Sequence, residues 1–211
     1  LSFTIMLRYP LIEKIPQAIT LRTGLAVSFA VEEFMPELSG MVMIKWPNDI
    51  MINSKKTAGI LCEADVSSKD GWIVHAGIGI NVSQKEFPSG LKEKATSISL
   101  ASGQDIDPDK RFSLLEKILH KLYHELEAPD WRARLDPSAN YGVEGPPGGV
   151  SGVQRLYKKN EKIIFMEGEA GSGMEIKGRI DGIGENGELM IIPDGKEEAC
   201  PFITGEIVLE G

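Results

Sequence analysis

Two lysines and an Asn-Asp pair are the residues whose types and spacing could do chemistry. Lys45 and Lys56 flank a stretch that begins with Asn48 and Asp49 and otherwise has the pattern of strands joined by a polar turn. A lysine ammonium is a point charge that suits phosphate or carboxylate oxygens. Asn and Asp supply hard oxygen ligands of the kind that Mg²⁺ accepts while it keeps several waters. The four residues together predict a site for a triphosphate and a second, anionic substrate.

Three glycines interrupt the neighbouring strand patterns. Gly59 lies in the second strand of this stretch, and Gly77 and Gly79 lie in the third. Glycine inside an element costs roughly 0.5–1 kcal/mol relative to alanine. Its presence in a strand often marks the close approach of a ligand or of another backbone. Asn81 ends the third strand and adds one more amide to the same region.

Other site types find less support in the sequence. It contains no Ser-His-Asp, Walker A or HExxH pattern, so nucleophilic and zinc-hydrolase chemistry is unsupported. His120 and His124 are spaced i, i+4 on a helical pattern and could ligate a metal. No other ligand accompanies them, and we interpret them as solvated or packed histidines.

A sheet backed by helices is predicted to position these residues. Alternation over residues 1–10 predicts a first strand, and further strands are predicted at 41–44, 49–53, 57–64 and 72–82. Helices are predicted at 16–34, with Pro16 in its first turn, and at 107–127. The apolar stripe of the second helix is predicted to consist of Phe112, Leu115, Ile118, Leu119, Leu122 and Leu126. The close succession of three strands indicates an α+β fold with an antiparallel meander rather than a βαβ nucleotide fold.

Composition changes after Trp131. Residues 136–152 are rich in Gly and Pro, and beyond them short strand patterns alternate with the turn signals Asn186-Gly187 and Asp194-Gly195. We therefore predict a first domain over 1–135, a linker or loop over 136–157 and a small β domain over 158–211. A domain of about 50 residues has a marginal core, so we expect it to lean on the first domain.

Charge and cysteine usage limit the partners. The net charge is −8, which argues against binding to a nucleic-acid backbone. No apolar run approaches the roughly 20 residues that a membrane helix needs. Cys62 and Cys200 have no ligand spacing and are expected to be reduced thiols in the cytoplasm. The chain begins with Leu1, which suggests a truncated or processed chain.

Three blocks of this sequence closely resemble the catalytic domain of biotin protein ligases. They read KWPND over 45–49, KTAGILCE over 56–63 and GIGIN over 77–81. The ending GEIVL over 205–209 looks like the C-terminal SH3-like domain of that family. The resemblance implies a class II synthetase-like fold with a mixed or antiparallel sheet backed by helices, and a small SH3-like β-barrel.

The resemblance also implies a reaction and a set of site residues. Biotin and ATP would form biotinoyl-5′-AMP, which then acylates a lysine of the biotin carboxyl carrier domain of acetyl-CoA carboxylase or a related carboxylase. Lys56 resembles the family's essential lysine, which contacts the biotin carboxylate and the α-phosphate, and Asp49 would share the catalytic role. The implied substrate-binding residues are Lys45, Trp46, Asn48, Gly59, Leu61, Gly77, Gly79 and Asn81. Asp49 and Asn81 would help to hold Mg²⁺.

The chain departs from the family pattern at its start. The family carries a GRGRxGR-type loop immediately before the strand that opens this chain, and the arginines of that loop would be phosphate ligands. The DNA-binding domain of repressor-type members is also absent, so no operator binding is expected from this chain. Two alternatives remain open: a lipoate or octanoyl transferase, and a catalytically weak fragment that binds the carrier or forms a homodimer.

Overall fold

The computed structural model describes residues 1–138, 153–168 and 173–208 of the chain. Its first sheet has five strands: β1 is Ser2–Tyr9, β2 is Val42–Lys45, β3 is Asp49–Ile52, β4 is Lys55–Ser67 and β5 is Gly71–Ile80. They are ordered β1-β5-β4-β3-β2, and every neighbouring pair is antiparallel. The predicted meander is therefore confirmed, and β1 is added at one edge.

Alternation in the sequence explains how β1 is oriented. Phe3 and Ile5 are half-buried on the side of the core, whereas Ser2 and Thr4 are exposed on the other face. This is the period-two pattern of a strand with one covered face. The register pairs Ser2 with Gly79 and Thr4 with Gly77, so that two hydroxyl-bearing residues lie beside the predicted glycines.

Helix α1 packs on the inner face of this sheet. It spans Ile19–Phe34, so the prediction that Pro16 lies in its first turn is wrong. Ala18 has a φ of 53° in the left-handed region and separates Pro16 from the helix. The guanidinium of Arg22 donates a 2.8 Å hydrogen bond to the carbonyl of Gln17 and holds this entry segment in place.

The helix predicted over 107–127 begins as a 3-10 turn, Pro108–Lys110, and continues as α3, Arg111–Glu127. The side chain of Asp107 caps the turn, accepting a hydrogen bond from the backbone N–H of Asp109. Shorter helices precede and follow α3: α2 is Ile98–Ser102 and α4 is Trp131–Leu135. Further 3-10 turns span Ile12–Lys14 and Pro36–Leu38. No helix among the described residues has the length and apolarity to cross a membrane.

The apolar stripe predicted for α3 is partly wrong. Its fully buried residues are Leu114, Ile118, Leu122 and Glu125, whereas Phe112 is 73% and Leu119 is 46% exposed. Glu125 can occupy the buried row because Arg134 lies 2.9 Å from its carboxylate. Burial nevertheless raises the pKa of Glu125, against the opposing effect of Arg134. A hydrophobic sequence pattern cannot identify a carboxylate that is buried because it forms an ion pair.

The second sheet also has five strands: β6 is Lys162–Glu167, β7 is Met174–Ile183, β8 is Leu189–Pro193, β9 is Cys200–Phe202 and β10 is Gly205–Ile207. They are ordered β10-β6-β7-β8-β9, again with antiparallel neighbours. Gly187 and Gly195 have φ angles of 96° and 83° in the turns on either side of β8. Both predicted hairpin signals are therefore confirmed.

The two sheets share one continuous core, as expected for a small domain that leans on its neighbour. The ring of Trp46 lies 6.0 Å from that of Phe165, and the indole N–H of Trp46 donates a 2.9 Å hydrogen bond to the carbonyl of Gly187. Most of the predicted linker lies outside the described residues, but its ends are structured. Asp136 is fully buried, and Leu156 forms a parallel bridge to Ile44 at the edge of the first sheet. The domain boundaries themselves remain predictions.

Candidate functional site

Adjacent strands bring the predicted catalytic residues together on the face of the first sheet that α1 leaves uncovered. Asp49 is paired with Gly59 across β3 and β4, and Gly59 with Gly79 across β4 and β5. The Nζ atom of Lys56 lies 2.5 Å from Oδ1 of Asp49. The side chain of Lys56 is 48% exposed and that of Asp49 is 17% exposed. The ammonium is thus held by a carboxylate and still accessible to a ligand.

A bulge in β4 turns Lys56 toward this face. Two consecutive residues of β3 pair with Ala58 and Lys56, so that Thr57 has no partner on β3. In an unbroken strand Lys56 and Gly59 would point to opposite faces, because side chains alternate. Instead, a Cβ atom placed on Gly59 would lie 3.4 Å from Nζ of Lys56. The extra residue therefore reorients the lysine, as bulges next to functional sites do.

The three predicted glycines leave space in different ways. A Cβ atom on Gly59 would lie 3.3 Å from Cε of Lys56, so that a larger residue would compete with the lysine for room. One on Gly77 would be in ordinary contact with the carbonyl of Leu61 at 3.6 Å, and one on Gly79 would meet nothing within 4 Å. Gly79 thus faces open space, which fits a ligand more directly than a packing role.

A cavity of about 450 Å³ lies over these glycines. Its volume falls within the range of small-molecule pockets. It is lined by seven of the predicted site residues: Asn48, Asp49, Lys56, Gly59, Leu61, Gly77 and Gly79. Ser2 and Thr4 also line it. These two were missed from the sequence, although their alternation opposite Phe3 and Ile5 placed them on this face.

A second cavity, of about 480 Å³, continues on the other side of Lys56. Lys56, Gly59 and Gly79 line both cavities, and Asn81 lines only the second. Its far wall contains Phe87 and Leu91. This wall was not predicted, because the residues after Asn81 form an irregular loop without a strand or helix pattern. Lys56 therefore borders both cavities.

Asn81 is already engaged by its surroundings. Its side-chain N–H donates to the carbonyl of Thr96, and its Oδ1 accepts from Gln84. These contacts hold the segment after β5 against Lys56, whose backbone N–H donates to the carbonyl of Lys94. Of the predicted metal ligands, Asp49 lines the first of these two cavities and Asn81 lines the second. Within the described ranges, no three His, Cys, Asp or Glu side chains form a cluster that could hold a metal ion.

Lys45 and Trp46 both contact the second sheet. The side chain of Lys45 is 3% exposed and lies 3.2 Å from a carboxylate oxygen of Glu206. A smaller cavity of about 170 Å³ is lined by both residues, together with Asn48, Asp49 and Glu206. A direct role of Lys45 and Trp46 in substrate binding remains a prediction. Glu206 was not identified from the sequence, because no spacing links residues so far apart.

Both cysteines are free thiols in the described structure. Cys62 is half-buried against the core, and burial raises the pKa of its thiol. An inert structural cysteine has this environment, whereas a reactive thiol needs a lowered pKa. The expectation of reduced, non-ligating cysteines is consistent with this geometry.

Comparison with known proteins points to one family. Residues 2–82 match the model of the biotin/lipoate A/B protein ligase family. The chain is 44% identical over 111 residues to the bifunctional ligase/repressor BirA of Bacillus subtilis, covering 51% of this chain and 32% of that protein. It is 30% identical over 161 residues to the biotin–[acetyl-CoA-carboxylase] ligase of Paracoccus denitrificans, covering 75% of this chain and 60% of that protein. The chain therefore spans about a third to three-fifths of the length of these relatives.

Solved structures of biotin protein ligases are similar to this chain over nearly its whole length. The biotin protein ligase of Aquifex aeolicus superposes with a TM-score of 0.70 at 27% identity, over 99% of this chain and 82% of that one. The same enzyme in complex with biotin and ATP gives a TM-score of 0.68 at 26% identity, over 98% and 76%. The α+β fold with two antiparallel sheets is common to both. Residues 2–82 therefore match the biotin/lipoate A/B protein ligase family, and the chain is similar in sequence and fold to biotin protein ligases.

Proposed function

We propose that the chain attaches biotin to a lysine of a carrier protein in an ATP-dependent reaction that passes through biotinoyl-5′-AMP. The observation that carries this proposal is the position of Lys56, which is held by Asp49 at the boundary of two cavities. A ligase that joins a carboxylate to a nucleotide needs a cation where the two substrates meet. The glycine-lined cavity would take biotin and the adjoining cavity the nucleotide.

In the first step, a biotin carboxylate oxygen attacks the α-phosphorus of ATP. A new P–O bond forms, the bond to the β-phosphate breaks, and pyrophosphate leaves. Negative charge accumulates around the phosphorus as this happens. The ammonium of Lys56 would neutralise that charge from a fixed position, which is the kind of electrostatic contribution that dominates phosphoryl transfer. Its ion pair with Asp49 keeps the ammonium oriented before the substrates arrive.

In the second step, the ε-amine of the carrier lysine attacks the acyl carbon of the adenylate. An amide bond forms, the bond to the phosphate oxygen breaks, and AMP leaves. The amine must lose a proton, and Asp49 is the carboxylate that lines the glycine-rich cavity beside Lys56. We assign it as the group that helps to accept this proton. Gly79 and Leu61 would border the path by which the carrier lysine enters.

Magnesium would be held largely by the substrate phosphates. Mg²⁺ commonly uses one or two protein carboxylates together with phosphate oxygens and waters. Asp49 fits as such a carboxylate, since it lines a cavity beside Lys56. Asn81 fits less well, because its Oδ1 accepts a hydrogen bond from Gln84 and lines a different cavity. Magnesium would supply charge neutralisation on the phosphates.

The proposal extends to the carrier, the second sheet and the location. The name of the Paracoccus relative supports the carrier domain of acetyl-CoA carboxylase as the acceptor. Residues 158–211 would form an SH3-like domain that packs against the first sheet and stabilises it. The two free thiols agree with a reducing compartment such as the cytoplasm.

Lipoate ligation is the second candidate, because the matching family model includes biotin and lipoate ligases. The names of the relatives and the KWPND block favour biotin. A panel assay separates the two. The longest product of the gene is incubated with ATP and Mg²⁺ and with biotin, lipoate or octanoate, and pyrophosphate release and acylation of a carrier domain are measured.

We expect pyrophosphate to be released with biotin and not with lipoate or octanoate. The carrier domain should then become biotinylated. Release with lipoate and not with biotin would replace the proposal by the second candidate. If no acid gave release and no carrier were labelled, the ligase proposal would be wrong.

A further inference from the structure

A buried ammonium joins the two sheets next to the proposed site. The side chain of Lys45 is 3% exposed, and its Nζ atom lies 3.2 Å from Oε1 of Glu206 on β10. A buried charge is costly unless it is paired. The position of Glu206 therefore decides whether Lys45 can remain where it is. Glu206 itself is 62% exposed, so its carboxylate would be well solvated without the lysine.

Trp46 makes the second contact between the same segment and the second sheet. Its indole N–H donates a 2.9 Å hydrogen bond to the carbonyl of Gly187, and its ring packs 6.0 Å from that of Phe165. Gly187 has a φ of 96°, and a Cβ atom there would lie 2.8 Å from Cβ of Ala18. The turn before β8 is thus fitted closely against the first domain. Lys45 at the end of β2 and the next residue, Trp46, are thus held by three separate parts of the second sheet and its turns.

This anchored segment leads directly into the proposed catalytic pair. Lys45 ends β2 and is the register partner of Asp49, which begins β3. Between them, the carbonyl of Asn48 accepts a hydrogen bond from the backbone N–H of Ile60 at 2.9 Å. Asp49 then contacts Lys56 at 2.5 Å. A displacement of Lys45 would therefore be transmitted to Asp49 through only three intervening residues.

We propose that Glu206 is a positioning residue for the ligation reaction: through Lys45 it fixes the 45–49 segment and thereby sets the place of Asp49 beside Lys56. This inference rests on the proposed function, since the quantity it affects is the rate of that reaction. It assigns a defined task to the second sheet. It also reassigns Lys45 from direct substrate binding to a link between the sheets.

Two single variants test the proposal from both ends of the ion pair. Glu206→Gln leaves Lys45 without a charged partner, and Lys45→Met removes the ammonium but keeps an apolar side chain of similar length in the buried site. Each is expected to lower kcat for biotin-dependent pyrophosphate release by on the order of 10- to 100-fold, as misplacement of a catalytic group does. The KM for biotin should stay within about twofold, because the glycine-lined cavity is unchanged.

A charge swap separates positioning from a general loss of folding. The double variant Lys45→Glu/Glu206→Lys restores an ion pair and should recover much of the kcat that either single reversal loses. Glu175→Lys is the matched control, since Glu175 pairs with Lys177 at 3.5 Å on the exposed surface of the same sheet. That control should keep the wild-type kcat. Wild-type kcat in both Glu206→Gln and Lys45→Met, or a swap no better than its single reversals, would overturn the proposal.

A readout that needs no activity distinguishes this proposal from the proposed function. Hydrogen exchange at the backbone N–H of Ile60 reports the bond to Asn48. Glu206→Gln should accelerate that exchange, and Glu175→Lys should not. If the wild-type protein released no pyrophosphate with any acid, the ligase function would fail while exchange still tested the link from Glu206 to the segment. Unchanged exchange at Ile60 in Glu206→Gln would contradict the link itself.

Discussion

Two ion pairs of the same chemical type lie at the two ends of one short segment, and they differ in what surrounds them. Lys56 contacts Asp49 and is 48% exposed to two cavities, whereas Lys45 contacts Glu206 and is 3% exposed. The first ammonium can exchange its carboxylate partner for a substrate phosphate with little change in burial. The second cannot be released without leaving a buried charge. Burial thus separates a lysine suited to chemistry from a lysine suited to holding two sheets together.

The two regions also differ in how they are assembled. The site region, β3 to β5, comes from one continuous stretch in which neighbouring strands bring Asp49, Gly59 and Gly79 into register. The junction joins Trp46 to Gly187 and Lys45 to Glu206, residues 141 and 161 positions apart. If this division is right, variants in the junction should change stability first and variants in the site should change binding first.

The largest expected effect is on stability, from Trp46→Ala. Trp46 is 3% exposed and makes both an aromatic contact and a hydrogen bond to the second sheet. Removal of so large a buried side chain should cost about 3–5 kcal/mol of unfolding free energy. Denaturant unfolding should show the second sheet melting before the first. Trp72→Ala, at the half-buried end of β5, is the matched control and should not loosen the second sheet; equal loosening by both variants would erase the distinction between the regions.

A smaller effect, confined to binding, is expected from Gly79→Val. A Cβ atom at Gly79 meets nothing within 4 Å, so the fold should keep its melting temperature. The added methyl groups would occupy the proposed biotin cavity and raise KM for biotin by on the order of tenfold or more. Gly90→Val is the control, because Gly90 also faces open space outside both cavities. A normal KM in Gly79→Val would show that biotin does not bind over this glycine.

The smallest effect is expected from an ion pair that belongs to neither region. Glu33 on α1 contacts Lys117 and Lys121 on α3 at 2.6 and 2.7 Å, and these hydrogen bonds lower its pKa to about 2. Because its pKa is lower in the folded state, the ionised carboxylate of Glu33 stabilises the fold at pH values above the unfolded pKa near 4.5. This stabilisation is lost as the pH falls toward 2. Because Glu33 is 44% exposed, solvent screening should keep the contribution below about 1 kcal/mol.

Glu33→Gln should therefore be slightly less stable than the wild type in urea at pH 7, and the difference should shrink at pH 3. Exposed pairs of this kind provide the reference against which the buried Lys45–Glu206 pair is judged. A destabilisation by Glu33→Gln as large as that by Trp46→Ala would mean that exposure does not separate the two classes of ion pair.

The sequence was sufficient to predict the features that depend on residues close together in the chain. Alternation predicted β1, the strand order of the meander followed from short turns, and the turns at Asn186-Gly187 and Asp194-Gly195 marked hairpins. Seven of the ten site residues that the resemblance implies line one cavity. Their clustering reflects strand pairing within about forty residues of chain, which a motif with fixed spacing encodes directly.

What the sequence did not predict depends on long-range partners or on backbone irregularities. The bulge at Thr57 lies beside Lys56, which pairs with β3 and also bridges to Ala95, a residue far along the chain. The burial of Glu125 depends on Arg134, and the burial of Lys45 depends on Glu206. For Glu125 and Lys45, a charged residue is stabilised in an unexpected place by a partner that the local pattern does not contain. Such errors are expected where tertiary contacts override local preference.

The most direct test of the central claim compares Lys56→Ala with Lys55→Ala. The two lysines are neighbours on β4, but Lys55 contacts Glu93 and the carbonyl of Lys92 outside the proposed site. Lys56→Ala is expected to lower biotin-dependent pyrophosphate release by on the order of 10²–10³-fold at an unchanged melting temperature, as loss of a charge-stabilising group does. Lys55→Ala should retain nearly full activity. Comparable rates for the wild type and Lys56→Ala would contradict the account.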